Sequence, residues 1–253
     1  MRTKRIEAIQ NYIYEHNTVS LDQLCEKFGV SKNTIRRDVE ELTGTGRFKK
    51  TYGGVMVQTK RTLVSFSQRN IENLRLKKRI ARRASRLVAD GDVIFLDSGT
   101  TTVYMVECLK DVRNVTVLTN NLQAIVEAIP CENLNVISLS GTLNRETLSF
   151  TGTSALQILS RYNVNKAFMA SAGISVPSGV THSSPAEFDI KQHVMSTCPN
   201  SILLVDHTKF DTASLMTYAP LQAIGTLVTD AQPPQSIVNC FGENGHTIIV
   251  AEE

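Results

Sequence analysis

The 253-residue sequence lacks any apolar run that approaches the length of a membrane span. A spanning helix needs roughly 20 consecutive apolar residues. The first 16 residues, MRTKRIEAIQNYIYEH, are charged and amphipathic, whereas a signal peptide has a continuous apolar stretch. We therefore expect a soluble protein of the cytoplasm.

Cysteine is also scarce, and its distribution excludes two common uses. The five cysteines are odd in number and widely spread, and they contain no C-x-x-C pair. No cluster of His and Cys has the spacing of a zinc finger. This pattern predicts reduced thiols that fill the core of a cytosolic protein, with no metal and no other cofactor. The cysteines are Cys25, Cys108, Cys131, Cys198 and Cys240.

The composition excludes a disordered or collagen-like chain, because 42% of the residues are hydrophobic and 20% are charged. A chain of this length forms one large domain, or a small domain joined to a medium one. It also buries enough surface to fold without disulfide or metal staples. We therefore expect a globular protein with an ordinary hydrophobic core.

The net charge of +3 conceals a split along the chain. Residues 1–90 contain 20 Lys and Arg against 9 Asp and Glu, a net charge of +11, whereas residues 91–253 contain 7 against 15, a net charge of −8. Such asymmetry indicates a module that binds a polyanion, joined to a part that does not touch it. The alternative is a basic surface without a partner.

The N-terminal region has the pattern of a helix-turn-helix. Apolar residues recur three and four apart over residues 5–14, which is typical of a helix that buries one stripe. Ser20 with Gln23 forms a capping box, which predicts a second helix over residues 21–28. Gly29 suits the end of that helix.

A third helix and a hairpin complete this region. Ser31 is suited to cap a helix over residues 32–43, and two helices joined by a short Gly-containing turn are typical of a helix-turn-helix. Two short β-like runs flank Gly53-Gly54 and predict a hairpin. We therefore predict a winged helix-turn-helix over residues 1–57, followed by a linker over residues 58–72.

The third predicted helix opens with residues that suit contact with DNA. A recognition helix reads base edges near its N-terminus, where Arg pairs with guanine, Asn with adenine, and Thr and Lys hold phosphates. Basic and aromatic hairpin residues reach the backbone or the minor groove. The alternative for Arg36-Arg37 is a solvated helix face. The predicted DNA-binding residues are Ser31, Lys32, Asn33, Thr34, Arg36, Arg37, Lys49, Lys50 and Tyr52.

A second basic cluster follows, within a helix that we expect from about Ile71 to Ala89. This cluster has three alternative interpretations: a solvated helix face, a second surface for DNA, or part of an anion pocket. We favour the solvated helix face. The cluster contains Arg75, Lys77, Lys78, Arg79, Arg82, Arg83 and Arg86.

From Val93 onward, short apolar runs alternate with helix-like segments. Continuous apolar strands between amphipathic helices predict a parallel sheet covered on both faces, so the fold class is α/β. The helix-like segments are 101–110, 121–129, 153–161 and 186–197. The predicted strands are Val93–Leu96, Val115–Leu118, Val136–Leu139, Ala167–Ala170, Ile202–Val205, Thr226–Val228 and Thr247–Val250. We assign residues 73–253 to this second domain.

Polar residues recur where these strands end, which is where open α/β sheets bind ligands. In Asp97-Ser98-Gly99-Thr100-Thr101-Thr102 the glycine allows close approach of an anion, and hydroxyl and helix N-terminal N–H groups donate to it. The other candidates are Thr119, Asn120, Gly141, Gly173, Glu187, Asp206 and Lys209.

Each of these features also has a purely structural explanation. Ser and Thr at strand ends often only cap helices, and Asp206 and Lys209 pair across a loop in the simplest case. Glu187 and Lys191 lie one helical turn apart, where an i,i+4 salt bridge is the default. The recurrence of polar groups at successive strand ends favours a pocket.

These residues resemble the DeoR family of bacterial transcriptional regulators over essentially the whole chain. The stretch that ends in Thr34-Ile35-Arg36-Arg37-Asp38 is similar to the N-terminal signature of that family, and Gly46 with Tyr52-Gly53-Gly54 occupies its wing, where His-Gly-Gly is more usual. Many members have Gly-Gly where this chain has Ser140-Gly141. The stretches TVSLDQLCEKFGVSKNTIRRD, IFLDSGTTT, YNVNKAFMA, DHTKF and LMTYAP point, within the family, to regulators of inositol catabolism.

The resemblance implies a C-terminal sensor domain with a fold related to ribose-5-phosphate isomerase. It implies a homodimer or higher homo-oligomer on operator DNA, which represses a sugar or inositol catabolic operon until a phosphorylated catabolite binds. By analogy, Ser98 to Thr102 would hold phosphate and Lys209 would add positive charge. Hydroxyl groups of the ligand would meet Asp97, Asn120, Glu187 and Asp206.

An enzyme is the alternative, namely a sugar-phosphate isomerase with an accessory DNA-binding domain. The related isomerase carries an Asp-Gly-Ala-Asp-Glu run and a Lys-Gly-rich segment, and neither occurs in this sequence. Asp206 with Lys209 is the best remaining pair for such chemistry. We therefore expect a regulator without catalytic residues.

Overall fold

In a computed structural model the chain forms two compact units, residues 1–62 and residues 63–253. The structure describes residues 2–16, 18–44, 48–57 and 65–252. Gly46 and the first part of the expected linker, residues 58–64, lie outside these ranges. Within them, none of the helices combines the length and the hydropathy that crossing a membrane requires.

The first unit is a winged helix-turn-helix, as the sequence predicts. Its elements are α1 (Arg2–His16), β1 (Thr18–Ser20), α2 (Leu21–Phe28), α3 (Lys32–Gly44), β2 (Phe48–Thr51) and β3 (Gly54–Val57). The strands pair antiparallel in the order β1-β3-β2. The hairpin β2–β3 is the predicted wing, and β1 adds a third strand that the sequence pattern did not indicate.

Local signals set the limits of α2 as predicted. The Ser20 hydroxyl accepts a hydrogen bond from the Gln23 backbone N–H at 3.1 Å, and the Gln23 side chain accepts one from the Ser20 N–H at 2.9 Å. Gly29 ends the helix in the left-handed region, with φ of 62°. The Ser31 hydroxyl accepts from the Thr34 N–H at 3.4 Å where α3 begins. The capping box and the glycine C-cap are therefore confirmed.

Three helices and three strands all contribute to the core of this unit. Its buried apolar residues are Ile9, Ile13, Val19, Leu24, Ile35, Val39, Leu42, Phe48 and Val55. Asp38 is only 1% exposed and accepts from the Arg5 guanidinium at 2.8 Å (Nε to Oδ2) and 3.3 Å (Nη2 to Oδ1). Because a buried carboxylate needs a partner, this pair holds α1 against α3.

The second unit is built on a seven-stranded parallel sheet. Its strands are β4 (Val93–Leu96), β5 (Val115–Thr119), β6 (Leu134–Ser138), β9 (Lys166–Ala170), β12 (Ser201–Leu204), β14 (Thr226–Thr229) and β15 (Thr247–Val250). They lie in the order β15-β14-β12-β9-β4-β5-β6, with parallel pairing throughout. Each predicted strand is present to within two residues at either end. The predicted α/β class is confirmed.

Helices cover both faces of this sheet. They are α4 (Phe66–Ile71), α5 (Leu74–Ser85), α6 (Leu122–Ala128), α7 (Thr153–Leu159), α8 (Pro185–Thr197), α9 (Gln235–Glu243) and three 3-10 helices, Thr102–Cys108, His207–Lys209 and Leu221–Ala223. Successive strand residues point to opposite faces. Phe95 packs in a core with α7, α8 and α9, whereas Ile94 and Leu96 pack in a core with α5 and α6.

Five further strands in this unit were not indicated by the sequence pattern. They are β7 (Thr142–Asn144), β8 (Ser149–Thr151), β10 (Gly173–Ser175), β11 (Gly179–His182) and β13 (Met216–Ala219). β7 and β8 form a hairpin, and the others form an antiparallel sheet in the order β10-β11-β13. Each of these short strands contains polar residues or glycine, so none shows the continuous apolar run that marks most strands of the main sheet.

The segment from 65 to 89 differs from the prediction in two ways. In place of one helix from Ile71 to Ala89, α4 and α5 are separated at Asn73, whose φ of 54° cannot continue an α-helix. α4 also lies in the second half of the expected linker. Phe66 is buried in the same core as Ile80, and its N–H donates to the Glu146 carbonyl at 2.6 Å. Burial of that one aromatic side chain ties the segment to the second unit.

The close pairing of β1 with β3 generates a stability prediction. A Cβ at Gly54 would lie 2.5 Å from the Val19 carbonyl oxygen, which belongs to the neighbouring backbone. We expect Gly54→Ala to lower the free energy of unfolding by about 1–3 kcal/mol, measured by urea denaturation. Gly44→Ala is the control, since a Cβ there meets nothing within 4 Å and stability should not fall. Equal stability of the two variants would contradict the observed pairing.

Candidate functional site

Helix α3 presents the polar face that the sequence predicts. Its apolar stripe, Ile35, Val39 and Leu42, is buried, so the intervening side chains turn toward solvent. Thr34 is half-buried. The exposed side chains are Ser31, Lys32, Asn33, Arg36 and Arg37. The two arginines and Asn33 are therefore accessible to base edges.

The wing lies beside this face of α3. Lys49 and Lys50 are exposed, and Tyr52 extends fully into solvent from the turn between β2 and β3. A groove of about 280 Å³ is lined by Leu21, Arg36, Val39, Glu40, Lys50, Thr51 and Gly54. The structure thus brings Arg36 of the helix and Lys50 of the wing to one groove.

Two of the predicted DNA-binding lysines form exposed ion pairs. The Lys32 ammonium lies 2.6 Å from the Asp22 carboxylate, and the Lys50 ammonium lies 3.0 Å from the Glu40 carboxylate. Exposed pairs of this kind contribute only about 0–1 kcal/mol. Both lysines are therefore available to exchange a carboxylate for a phosphate.

In the second unit, the segment from Asp97 to Thr102 follows β4 and is buried along its length. The Thr102 hydroxyl donates within the segment, to the Asp97 carbonyl at 2.7 Å and the Gly99 carbonyl at 2.9 Å. A Cβ at Gly99 would lie 2.2 Å from the Ala170 Cβ. The close neighbour of this glycine is therefore strand β9. Ser98, Thr100 and Thr101 supply the remaining hydroxyls.

The helix that follows this segment is not the one predicted. The sequence predicted an α-helix over 101–110 whose N-terminal N–H groups would bind an anion, whereas the structure has a 3-10 helix over Thr102–Cys108. The hydrogen bonds of a 3-10 helix have poorer geometry than those of an α-helix. The α-helix N-terminus that was expected to bind an anion is therefore not formed over the described residues 101–110.

Asp97 and Lys191 form a buried ion pair beneath the segment. The Lys191 ammonium contacts Asp97 Oδ2 and donates to the Ala170 carbonyl at 3.1 Å. The Ala170 N–H donates to the same carboxylate oxygen at 2.9 Å. The Tyr218 ring centre lies 5.2 Å from the ammonium. Ser98 Oγ also donates to Asp97 Oδ1 at 3.4 Å, so Asp97, which we expected to meet ligand hydroxyls, already has three partners.

Glu187 is buried in a second polar cluster one turn earlier on α8. Its carboxylate accepts from the Ser149 hydroxyl at 2.6 Å and from His182 Nε2. The expected i,i+4 salt bridge between Glu187 and Lys191 is wrong, because β8 and β11 supply the partners of Glu187 and β4 leads into that of Lys191. Sequence spacing cannot show these contacts.

The protonation states of this cluster follow from its geometry. Burial alone would raise the pKa of Glu187, but hydrogen bonds from His182 and Ser149 and the charge of Lys191 lower this pKa to about 2. Burial and the Lys191 charge lower the pKa of His182. Glu187 is therefore ionised and His182 neutral, so His182 Nε2 donates to Glu187. His182 Nδ1 is a buried acceptor that has no partner among the described residues.

At the end of β5, some polar side chains form hydrogen bonds with residues that the structure describes and one does not. The Thr119 hydroxyl donates to the Leu96 carbonyl at 2.6 Å, and Asn121 caps α6 while donating to the Gly99 carbonyl at 3.2 Å. Asn120, by contrast, is fully buried, and neither atom of its amide has a hydrogen-bond partner within the described part of the chain. Unpaired buried amide groups cost free energy. Within the described structure, Asn120 therefore keeps its full hydrogen-bonding capacity unused in a buried position.

Asp206 and Lys209 lie at the end of β12. The Asp206 carboxylate accepts from the Thr208 backbone N–H at 3.0 Å and from the Thr208 hydroxyl. The alternative of an Asp206–Lys209 ion pair is wrong, since Asp206 instead caps the short helix His207–Lys209, and no such pair occurs between these two described residues.

Two cations lie near this edge: Arg69, which the sequence motifs did not single out, and Lys77, which belongs to the basic cluster that has an anion pocket as one alternative. Lys77 at the start of α5 is buried, and its ammonium donates to the Arg69 carbonyl. Burial lowers the pKa of Lys77 to about 8, although the charge of Asp206 opposes the shift. Burial also lowers the pKa of Arg69 on α4, although the negative charges of Glu187 and Asp97 raise it in part. α4 and α5 thus bring positive charge to the carboxyl edge of the sheet.

The two remaining candidate glycines have close backbone neighbours. A Cβ at Gly141 would lie 2.2 Å from the Thr151 carbonyl oxygen, and one at Gly173 would lie 2.6 Å from the Thr212 carbonyl oxygen. Gly141 packs against β8, and Gly173 begins β10. Packing of the polypeptide backbone accounts for both glycines.

The site therefore combines hydroxyls, an unpaired amide and cations in a buried setting. Ser184 Oγ is another buried atom without a partner in the described ranges. No described group of three His, Cys, Asp or Glu side chains could hold a metal ion. The site residues that were not among the sequence candidates are Arg69, Asn121, Ser149, His182, Ser184 and Lys191, and Lys77 was named only within the basic cluster. For Ser149 and Lys191 no local motif exists, because their partners Glu187 and Asp97 are distant in the sequence.

Family comparisons match both units. Residues 5–61 match the family model described as a DeoR-like helix-turn-helix domain. Residues 72–231 match the model described as the DeoR C terminal sensor domain. The two matches together cover most of the chain.

Curated relatives span nearly the full length. The HTH-type transcriptional regulator IolR of Bacillus subtilis is 42% identical over 92% of this chain and 92% of its own length. The HTH-type transcriptional repressor GlcR of the same organism is 31% identical over 99% and 96%. The glycerol-3-phosphate regulon repressor of Escherichia coli is 25% identical over 96% of each chain.

Among solved structures, a D-ribose-5-phosphate isomerase in complex with phospho-erythronic acid matches with a TM-score of 0.41 and 18% identity, over 54% of each chain. A similarity of this size carries no functional conclusion. The curated relatives described above are named as regulators and repressors, which does not favour the isomerase alternative. With a sensor-domain match over more than half of its length and a 42% identical full-length relative, the chain belongs to the DeoR family of transcriptional regulators.

Proposed function

We propose that this regulator represses a sugar or inositol catabolic operon and releases it when a phosphorylated catabolite binds the second unit. The observation that carries the proposal is the fully buried, unpaired amide of Asn120 at the carboxyl edge of the sheet, the edge to which α5 also brings Lys77. A phosphorylated polyol supplies the hydroxyls and the negative charge that such a site lacks.

In the proposed DNA complex, α3 enters the major groove. Arg36, Arg37 and Asn33 contact base edges, and the wing residues Lys49 and Tyr52 contact the backbone or the minor groove. The other predicted residues of the face, Ser31, Lys32, Thr34 and Lys50, hold phosphates. The exposure of Ser31, Lys32 and Lys50 supports this assignment, and Thr34 is half-buried.

In the proposed effector complex, the hydroxyls of Thr100 and Thr101 donate to the phosphate, and the Ser98 hydroxyl exchanges its 3.4 Å hydrogen bond to Asp97 for one to the phosphate. Lys209 and the buried Lys77 provide charge, and Asn120 bonds a hydroxyl of the ligand. Five of the predicted residues act indirectly, because each already forms a hydrogen bond or ion pair with a neighbouring group. They are Asp97, Thr102, Thr119, Glu187 and Asp206. Gly99, Gly141 and Gly173 allow the loops to pack.

The ligand class draws on two supports. The glycerol-3-phosphate regulon repressor of E. coli carries a phosphorylated metabolite in its name. Inositol is favoured by the similarity to IolR and by the sequence stretches that resemble regulators of inositol catabolism.

We further propose that the protein acts in the cytoplasm as a homodimer or higher homo-oligomer, since helix-turn-helix proteins commonly bind two half-sites. The DNA-binding domain is residues 1–57 and the sensor domain is residues 73–253. The connecting segment 58–72 includes α4, which is packed on the sensor unit.

DNA contacts can be tested by separating base from phosphate contacts. We expect Arg36→Ala and Arg37→Ala each to weaken operator binding by about 1–3 kcal/mol while leaving binding to unrelated DNA little changed. Lys49→Ala should weaken binding to all sequences and reduce the salt slope by about 0.9. Fluorescence anisotropy across a salt series measures both effects. Arg161→Ala, on the exposed surface of the sensor unit, is the control.

Unchanged affinity and unchanged salt slope in all three variants would contradict the assignment of α3 and the wing to DNA. Loss of base discrimination in Lys49→Ala alone would instead move the base contacts from α3 to the wing.

The effector site can be tested with labelled promoter DNA from the protein's own gene cluster and a panel of sugar phosphates and inositol-derived phosphates. We expect one class of phosphate to lower DNA affinity by about 5- to 150-fold, the usual range of allosteric coupling. Thr100→Ala with Lys209→Ala should abolish that response and leave operator binding intact.

Ser67→Ala with Lys110→Ala is the matched control, since both residues are exposed on the same unit. Circular dichroism checks that each variant folds. DNA affinity that is indifferent to every phosphate, or binding without sequence preference, would overturn the proposed function.

The buried Lys77 predicts a pH dependence of stability. Because its pKa is lowered from 10.5 to about 8, the folded protein loses the Lys77 proton near pH 8 while the unfolded chain keeps it until near pH 10.5. Stability attributable to Lys77 therefore rises between these values, by at most about 1.4 kcal/mol per pH unit. Urea denaturation of the native protein and Lys77→Met isolates this contribution as a difference. A difference that is flat from pH 8 to 10 would show that the ammonium is solvated.

A further inference from the structure

The basic cluster on α5 does not form a uniform solvated face. Lys77 is buried beside the effector edge, and a separate group of arginines lines a concave groove of about 510 Å³, here called the arginine groove. The residues that line it are Arg79, Arg82, Arg83, Arg86, Val250 and Glu252. The proposed effector site does not account for this groove.

Helical spacing and the sheet edge together create the arginine groove. Positions 79, 82, 83 and 86 are three, four and seven residues apart, so their side chains project from one face of α5 and its last turn. The opposite wall is the end of β15, which is an edge strand that pairs with β14. Open α/β sheets bind ligands beyond the carboxyl ends of their strands, and Val250 and Glu252 lie at that end of β15.

The arginine groove carries an excess of positive charge. None of its four arginines forms an ion pair with a carboxylate in the part of the chain that the structure describes, whereas the neighbouring Lys78 pairs with Glu107 at 3.5 Å. Glu252, at the rim, is exposed. The negative end of the helix dipole offsets part of the repulsion among the arginines. It does not account for their convergence on one concavity.

Arg79 connects the arginine groove to the rest of the unit. Its Nη2 donates to the Asp230 carbonyl at 2.9 Å, and its buried Nε has no hydrogen-bond partner among the described residues. The Asp230 carboxylate in turn accepts from the His207 N–H at 2.7 Å and lies 2.6 Å from His207 Nδ1. The hydrogen bond of Nη2 thus orients the guanidinium group, and the Nε–H donor remains unpaired within the described ranges.

We propose that the arginine groove binds a small anion with two or more phosphoryl groups, of the class of inorganic pyrophosphate and polyphosphorylated metabolites. The planar guanidinium group matches phosphate oxygens in bidentate fashion. The groove volume lies within the range of small-molecule sites. It is larger than a single phosphate needs.

Charge distribution favours a small anion over DNA as the occupant. Within this unit, residues 63–90 carry a net charge of +6 and residues 91–253 a net charge of −8, so an extended polyanion that ran beyond α5 would meet net negative charge. Glu252 adds a carboxylate at the rim, where a passing DNA backbone would meet it. A compact anion contacts the arginines without approaching the acidic surface.

The test is isothermal titration of the full chain with inorganic pyrophosphate at about 0.15 M salt. We expect saturable binding that Arg82→Gln with Arg86→Gln weakens by about tenfold or more, since charge-assisted hydrogen bonds are lost. Arg75→Gln with Arg161→Gln removes the same charge from exposed positions outside the groove and should retain binding. Lys209→Gln, at the effector site, should also retain it.

If the Gln double variant is less stable than the native protein, Arg82→Lys with Arg86→Lys is the second variant. It preserves the charge but removes the guanidinium groups, so it too should bind pyrophosphate more weakly. No binding to the native protein at millimolar pyrophosphate, or equal losses in the groove and control variants, would overturn the proposal. So would loss in Lys209→Gln alone, which would place the anion at the effector site. A parallel titration with an unrelated 20-bp duplex tests DNA, and a salt slope lowered by the groove variants alone would make DNA the occupant.

Discussion

The buried ion pair between Asp97 and Lys191 is the constraint on which the sensor unit depends. It joins the segment after β4, strand β9 through Ala170, and helix α8 at one point. Removing one partner from such a pair typically costs about 3–5 kcal/mol, because the other charge stays buried and unpaired. With α8 fixed in this way, Glu187 one turn earlier meets Ser149 and His182. The walls of the proposed effector site are therefore held by charges that are not themselves free for a ligand.

Eleven of the 20 Lys and Arg in residues 1–90 lie in three places in the structure. One part lies on α3 and the wing, where exposed side chains suit contact with DNA. A second part, Arg69 and Lys77, lies near acidic groups at the carboxyl edge of the sheet. A third part lines the arginine groove. A net charge of +11 exceeds what a DNA-reading module requires because α4 and α5, which belong to the sensor unit, carry much of it.

The sequence-based predictions agree with the structure where the interactions join residues that are close in the sequence. The capping box at Ser20, the C-cap at Gly29 and the parallel strands rest on contacts within a few residues or on continuous apolar runs. Predictions were wrong where a side chain bonds a group from a distant part of the chain in place of a neighbour in the sequence. Glu187 and Lys191 have a helical spacing that favours pairing, yet buried partners from other strands take both. The expected α-helix over 101–110 became a 3-10 helix, and the short strands β7, β8, β10, β11 and β13 showed no periodicity.

The sequence by itself determined the two-part organisation, the winged helix-turn-helix with its exposed α3 face, the α/β class, and the sheet edge where polar residues gather. These features depend on periodicity, capping and charge counts, which are local or additive. Only the tertiary structure decided which polar groups at that edge are already paired, which remain unpaired, as Asn120 does, and that Lys77 is buried. The reason is physical: desolvation and hydrogen-bond satisfaction depend on every group that packs around an atom, and those groups come from distant parts of the chain.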